Sequence, residues 1–110
     1  MTPGYIVRPA ADRDLDEIAA YLAGHAGTNV ALLFLRELSR TFSLLAEHAE
    51  MGWPCRLKHA TLEGVRQFRV GGPFNKYVIF YRPQPGRIEI LRLRHGARDI
   101  DSVLPGEETT

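Results

Sequence analysis

The sequence predicts an α+β domain: an N-terminal strand, then a two-helix antiparallel hairpin packed on a three- to four-stranded antiparallel sheet, with a short C-terminal segment. Three observations predict it. Apolar residues recur at helical spacing through the first half of the chain. Three strand-like runs separated by Gly and Pro fill most of the second half. The chain has 110 residues, 45% apolar and 25% charged, which suits one domain around one core. Residues 1–104 are read as that domain and residues 105–110 as a loose tail.

The chain opens with Tyr5-Ile6-Val7-Arg8, a short extended run closed by Pro9, whose fixed φ and missing N–H suit a strand end or a first helical turn. The period then changes. Leu15, Ile18, Ala19 and Leu22 stand at i, i+3, i+4 and i+7, the apolar stripe of a helix. Asp12 suits its N-cap, while Asp14, Asp16 and Glu17 suit the positive end of its dipole. Gly24 and Gly27 mark where it stops. A second helix, with Thr28 and Asn29 as caps, runs to about Ala49 on a stripe of Ala31, Leu35, Leu38, Phe42 and Leu45. Leu32, Leu33, Phe34 and Leu44 widen that stripe, so more than one element is expected to cover it.

Residues 51–63 read as an irregular connection with a short strand. Three strands follow over residues 65–70, 77–81 and 87–93. Gln84-Pro85-Gly86-Arg87 carries Pro and Gly at the central positions of a type II turn, which pairs the last two strands as antiparallel neighbours. Residues 77–81 are apolar at every position and call for cover on both faces. The helical hairpin covers one face. For the other, the expected cover is residues 97–104 together with a partner chain; the plainer alternative leaves the Tyr77 and Tyr81 hydroxyls at water and needs no partner.

No apolar run is long enough to span a bilayer, and the first residues lack a secretory pattern, so a cytoplasmic protein is expected. The single cysteine, Cys55, has no disulfide partner in the chain, and no His/Cys spacing suggests a metal site, so neither metal nor cofactor is expected and Cys55 reads as structurally incidental. Charge is uneven: residues 1–50 hold four Arg against seven acids, and residues 51–104 hold ten Lys and Arg against four. The basic half is either a solvated face or a binding surface. Its densest part is the end of the last strand, where Arg92, Arg94, His95 and Arg98 follow an apolar run. By strand alternation Arg69 faces solvent rather than Arg66, and Arg92 and Arg94 share a face opposite Leu91 and Leu93. The plainer role for His95 is a hydrogen bond to a backbone carbonyl where the chain turns at Gly96, and for Arg98 a local ion pair with Asp99.

The order strand, helix, helix, three strands carries Gly64-Val65-Arg66-Gln67-Phe68-Arg69-Val70-Gly71, then Val78-Ile79-Phe80-Tyr81-Arg82, Ile88-Glu89-Ile90-Leu91-Arg92 and His95-Gly96-Ala97-Arg98-Asp99-Ile100. Together with the opening Pro9-Ala10-Ala11-Asp12-Arg13-Asp14-Leu15, this resembles the ParE branch of the RelE/ParE toxin superfamily over residues 5–104. The resemblance implies the toxin of a type II toxin–antitoxin system, neutralised by a ParD-like antitoxin encoded next to it, with DNA gyrase as the target in the ParE branch. Under that reading no catalytic residue is expected, and partner- or target-binding falls to Arg69, Tyr77, Tyr81, Arg92, Arg94, His95 and Arg98. The RelE branch instead implies a ribosome-dependent mRNA endoribonuclease, here with Arg69, Arg94 and His95. RNase relatives tend to carry a Tyr or a His-Tyr pair at the end of the last strand, where this chain has His95 followed by Gly96. A third alternative is an antitoxin-binding module without toxicity.

Overall fold

The structure, a computed structural model, describes residues 4–55 and 63–96. It is an α+β fold with two helices on one face of a five-stranded mixed sheet. The elements are β1 (Tyr5–Val7), α1 (Pro9–Ala26), α2 (Thr28–Glu47), β2 (Trp53–Pro54), β3 (Arg66–Arg69), a 3-10 turn (Gly72–Phe74), β4 (Tyr77–Gln84) and β5 (Arg87–His95). The sheet order is β1-β5-β4-β3-β2. Three or four antiparallel strands were expected, and the sheet exceeds this at both edges. β1 lies parallel to β5, with Tyr5 opposite Ile88 and Val7 opposite Ile90, and the two-residue β2 pairs with β3. Pro54 has no N–H for the ladder, and past it the Cys55 N–H still donates to the Val65 carbonyl at 2.9 Å.

Pro9 occupies the first turn of α1 behind an extended Arg8, so the helix starts earlier than an Asp12 cap would place it; Asp12 lies in the first turn and its N–H donates to the Arg8 carbonyl at 2.9 Å. Gly27 alone joins the helices. Its N–H donates to the Ala23 carbonyl, its own carbonyl accepts from Val30 and Ala31, and its φ of 101° is one that side chains rarely adopt. Thr28 and Asn29 therefore belong to α2 and do not cap it.

α2 buries Ala31, Phe34, Leu38, Phe42 and Leu45, and the last four share one core with Val70, Phe74, Ile79, Tyr81, Ile88, Ile90 and Leu93. Burying such side chains contributes about 1.5–3 kcal/mol each. The wider arc stays open: Leu32, Leu33 and Leu44 are exposed, because α1 packs on one flank of α2 and no described element covers the other.

The β4–β5 hairpin turns at Pro85 and Gly86, whose φ of 83° fits the third position of a type II turn. Within it Phe80 pairs with Arg92 and Tyr81 with Ile90, leaving Leu91 as an extra residue. This bulge reverses the side-chain alternation. Ile90 and Leu93 both face the helices, while Leu91 joins Val65, Val78 and Phe80 in a second small cluster on the far face. Leu91 and Leu93, expected on one face, are thus on opposite faces. Val78 and Phe80 are buried on that far face. Residues 97–104, expected to help cover it, lie outside the described residues.

Two polar contacts lock the layers. Asp14 of α1, buried at the boundary between helices and sheet, accepts from Arg92 Nε at 2.7 Å, from Arg92 Nη2 at 3.1 Å and from the Leu93 N–H at 3.0 Å. Tyr81, 0% exposed, donates its hydroxyl to the Ala49 carbonyl at 2.8 Å and accepts from the Gly52 N–H at 2.9 Å. Arg66 adds a 2.7 Å bond to the Gly52 carbonyl. Gly52 is obligatory here, since a Cβ would sit 2.5 Å from the Tyr81 hydroxyl and 2.8 Å from the Gln67 carbonyl oxygen.

Burial pushes the Cys55 thiol up from 9.0 to about 11, against a smaller lowering by its hydrogen bond with Gln67. The unfolded chain loses this proton near 9.0 and the folded chain holds it to about 11, so the thiol's contribution to stability is intact below pH 9 and is lost as pH rises through that window. Burial raises the Tyr81 hydroxyl too, in the same sense.

Asp14→Ala is expected to cost about 3–4 kcal/mol in urea unfolding because it strands the Arg92 guanidinium, and Asp14→Ala with Arg92→Leu should recover part of that loss. Gly52→Ala should cost about 1–3 kcal/mol, less in a Tyr81→Phe background, where the nearer of the two clashing oxygens is gone. Cys55→Ala should flatten the decline of Tm between pH 9 and 11, and iodoacetamide at neutral pH should alkylate the native thiol more slowly than the urea-unfolded one.

Candidate functional site

The sheet face turned away from the helices carries two exposed arginines, Arg69 and Arg94. Strand register puts Arg69 of β3, Val78 of β4 and Arg94 of β5 in one transverse row. Neighbouring strands are roughly 4.8 Å apart, so the two arginines stand roughly 10 Å apart across the buried valine. Arg69 Nη1 donates to the Asn75 carbonyl at 2.9 Å, and both arginines are exposed with no acidic partner among the described residues. Beside this row lies the next, Trp53, Gln67, Phe80 and Arg92. Trp53 is 74% exposed on the edge strand and, with Gln67, Phe68, Arg69 and Val78, lines a shallow cavity of about 360 Å³. The face therefore offers an indole ledge next to two guanidinium groups.

Arg66, Arg82 and Arg92 of the basic half, and Arg8 of the first strand's end, are committed within the fold, whereas Arg87 at the hairpin turn is exposed. Arg92 gives two nitrogens to Asp14, and its side chain is only 16% exposed, so it holds α1 to β5. Arg8 and Arg82 flank Glu89 at 3.5 and 3.3 Å, and Gln84 donates to the same carboxylate at 2.7 Å. Arg66 serves the Glu50 and Gly52 carbonyls.

On the helix side of the same sheet end, Tyr77 and His95 face each other across β4 and β5, with ring centroids 5.2 Å apart and nearly perpendicular planes. Phe34 of α2 packs on Tyr77 at 5.3 Å. Burial, and to a lesser degree nearby Tyr21, raises the Tyr77 hydroxyl above its usual value. Glu17, Ile18 and Tyr21 of α1 complete a cavity of about 350 Å³ with Tyr77 and His95. The Gly96 N–H donates to the Lys76 carbonyl at 2.7 Å, closing the end of the hairpin.

Of the residues expected to bind a partner or target, the structure thus brings together Arg69 with Arg94 on the far face and Tyr77 with His95 on the helix side. It separates the two pairs by the thickness of the sheet. Tyr81 presents no surface, being enclosed beneath the helices with its hydroxyl engaged on both sides. Arg98 lies outside the described residues. Trp53, Glu17 and Tyr21 were not anticipated as site residues. Only the i, i+4 spacing of Glu17 and Tyr21, which puts them on one helix face, hinted at a shared role. No three His, Cys, Asp or Glu side chains gather as a metal site among the described residues, and no helix among them is long and apolar enough to cross a membrane.

Chemically, the far face can neutralise or grip an anionic group, and among the described residues no proton-transfer partner stands beside its two arginines. His95, one residue from Arg94, points the opposite way.

Comparison with known proteins agrees with this architecture. Residues 5–100 match the family model described as ParE toxin of type II toxin-antitoxin system, parDE. The chain is 35% identical over 91 residues to Toxin ParE1 of Caulobacter vibrioides, covering 83% of this chain and 86% of that protein. It is 29% identical over 105 residues to Toxin ParE1 of Mycobacterium tuberculosis, covering 94% of this chain and 100% of that protein. A solved structure, the chromosomal ParDE TA system from P. aeruginosa, superposes with a TM-score of 0.69 at 20% identity, covering 86% of this chain and 96% of that one, and shares the fold. With a family match running from the first strand to beyond the last, on a fold its solved relative shares, this chain belongs to the ParE toxin family of type II toxin–antitoxin systems.

Proposed function

We propose that the protein acts as a growth-arresting toxin that inhibits DNA gyrase by surface contact in the cytoplasm, and that a ParD-like antitoxin encoded beside it holds it inactive. The observation that carries this reading is the far face of the sheet: Trp53, Arg69 and Arg94 exposed around Val78, with no acid or base among them. Trp and Arg are the side chains in which contact surfaces concentrate their binding energy. Cleaving RNA through a 2′-hydroxyl needs one group to take a proton, another to return it, and cations on the phosphate. The row of Arg69 and Arg94 supplies only the last of these. Its spacing would suit phosphates, which is why an mRNA endoribonuclease stands as the competing reading.

The antitoxin side of the proposal rests on family membership and on charge. An acidic segment laid over Arg69 and Arg94 would neutralise cations that have no acidic partner among the described residues. It would occupy the face that the target needs.

In a supercoiling assay the purified protein is expected to inhibit gyrase and to accumulate cleaved DNA. Arg69→Ala and Arg94→Ala should each raise the half-inhibitory concentration roughly tenfold, the effect of about 1.4 kcal/mol at a contact residue. Cleavage of ribosome-bound mRNA, with supercoiling unimpaired, would overturn the reading.

A further inference from the structure

The cavity between α1 and the end of the β4–β5 hairpin plays no part in the gyrase contact proposed above, and its walls have a chemistry of their own. Tyr21 and Tyr77 supply phenol rings, Ile18 an apolar floor, His95 an edge against Tyr77 and Glu17 a carboxylate. Tyr21 is 56% exposed yet held in place: the His25 ring stacks on it at 4.1 Å with planes 24° apart, and His25 Nδ1 lies 2.9 Å from the Tyr21 carbonyl oxygen. With one face of Tyr21 taken by His25, the other is left for the cavity.

Glu17 has no ion-pair or hydrogen-bond partner among the described residues. Arg13, one turn earlier on α1, is exposed and makes no bond to it. No Lys or Arg lines the cavity among the described residues. Among the described residues, the fixed charge of the lining therefore has one sign. Aromatic faces carry the negative part of the ring quadrupole, and beside them stands an uncompensated carboxylate. An anionic or phosphate-bearing group would be repelled, and a purely apolar group would leave Glu17 unused.

We propose that this cavity receives the side chain of an arginine presented by a partner polypeptide. The aliphatic stem would lie on Ile18, the planar guanidinium would stack between the tyrosines, and its N–H fork would donate to the Glu17 carboxylate. A side chain on a polypeptide fits better than a free amino acid, because no Lys or Arg among the described lining residues is available to take an α-carboxylate. The inference stands on the lining of the cavity and does not depend on gyrase being the target.

The test is an NMR titration of the full chain, following the tyrosine rings and the Ile18 methyl groups, with acetyl-Gly-Arg-Gly-amide as probe. Its neutral isostere acetyl-Gly-citrulline-Gly-amide and free arginine serve as controls. The arginine peptide should shift the Tyr21, Tyr77 and Ile18 signals saturably, and the citrulline peptide should bind roughly tenfold more weakly for want of charge. Glu17→Gln should lower affinity roughly fivefold and Tyr21→Leu, which keeps bulk without the ring, roughly threefold. Both residues are exposed, so the variants should fold like the parent. Equal binding of the two peptides, no effect of Glu17→Gln, tighter binding of free arginine than of the blocked peptide, or no saturable shift at these residues would each overturn the proposal.

Discussion

One buried carboxylate decides where the N-terminal helix lies. β1 pairs with β5 only as far as Ile90, and beyond it the outer edge of β5 would leave the Leu93 N–H without a partner. Asp14 takes that N–H together with two nitrogens of Arg92, so its charge is met on three sides at the helix–sheet boundary. Burying an ion pair is costly, and the cost is offset only where every polar atom finds a partner. Here the bulge at Leu91 supplies the geometry, since the extra residue brings Arg92 and Leu93 to the edge that α1 crosses. Glu17 and Tyr21, roughly one and two turns beyond Asp14, inherit their positions from this contact.

That arrangement also sorts the arginines by function. Arg8, Arg66, Arg82 and Arg92 spend their charge on partners within the fold, two carboxylates and two carbonyls. Arg69 and Arg94 remain on the surface opposite the helices. Net charge over a stretch of sequence therefore overstates the cationic surface. The useful quantity is which guanidinium groups stay exposed without an internal carboxylate, and this depends on partners distant in the chain.

Local signals made much of the fold legible beforehand. Helical spacing located both helices, Pro85-Gly86 located the hairpin, and alternation placed Arg69 toward solvent. What escaped were non-local effects. The pairing of β1 with β5 is written nowhere near either strand, and the bulge that parts Leu91 from Leu93 has no Gly or Pro to announce it. Tyr77 and Tyr81 look equivalent in the sequence, yet one lines a cavity and the other is fully enclosed, because only Tyr81 lies beneath the segment that holds Ala49 and Gly52. The candidate sites were half legible for the same reason. Arg69 and Arg94 flank β4 on its two neighbouring strands, and Tyr77 and His95 lie on the β4–β5 hairpin, elements that the sequence already ordered, whereas Glu17, Tyr21 and Trp53 come from elements whose docking only the tertiary fold reveals.

The parallel pairing of β1 with β5 has a consequence for the order of assembly. The strand made first closes against the strand made last among the described elements, across some eighty residues of intervening chain. Closing so long a loop is slower and entropically costlier than zipping the β4–β5 hairpin or the helix pair joined at Gly27. During synthesis the N-terminal strand has no ladder partner, and Asp14 no guanidinium, until β5 has left the ribosome. The chain thus acquires its ordered faces nearly all at once, at the end of translation of the described region. An interrupted polypeptide would carry the helices without either surface.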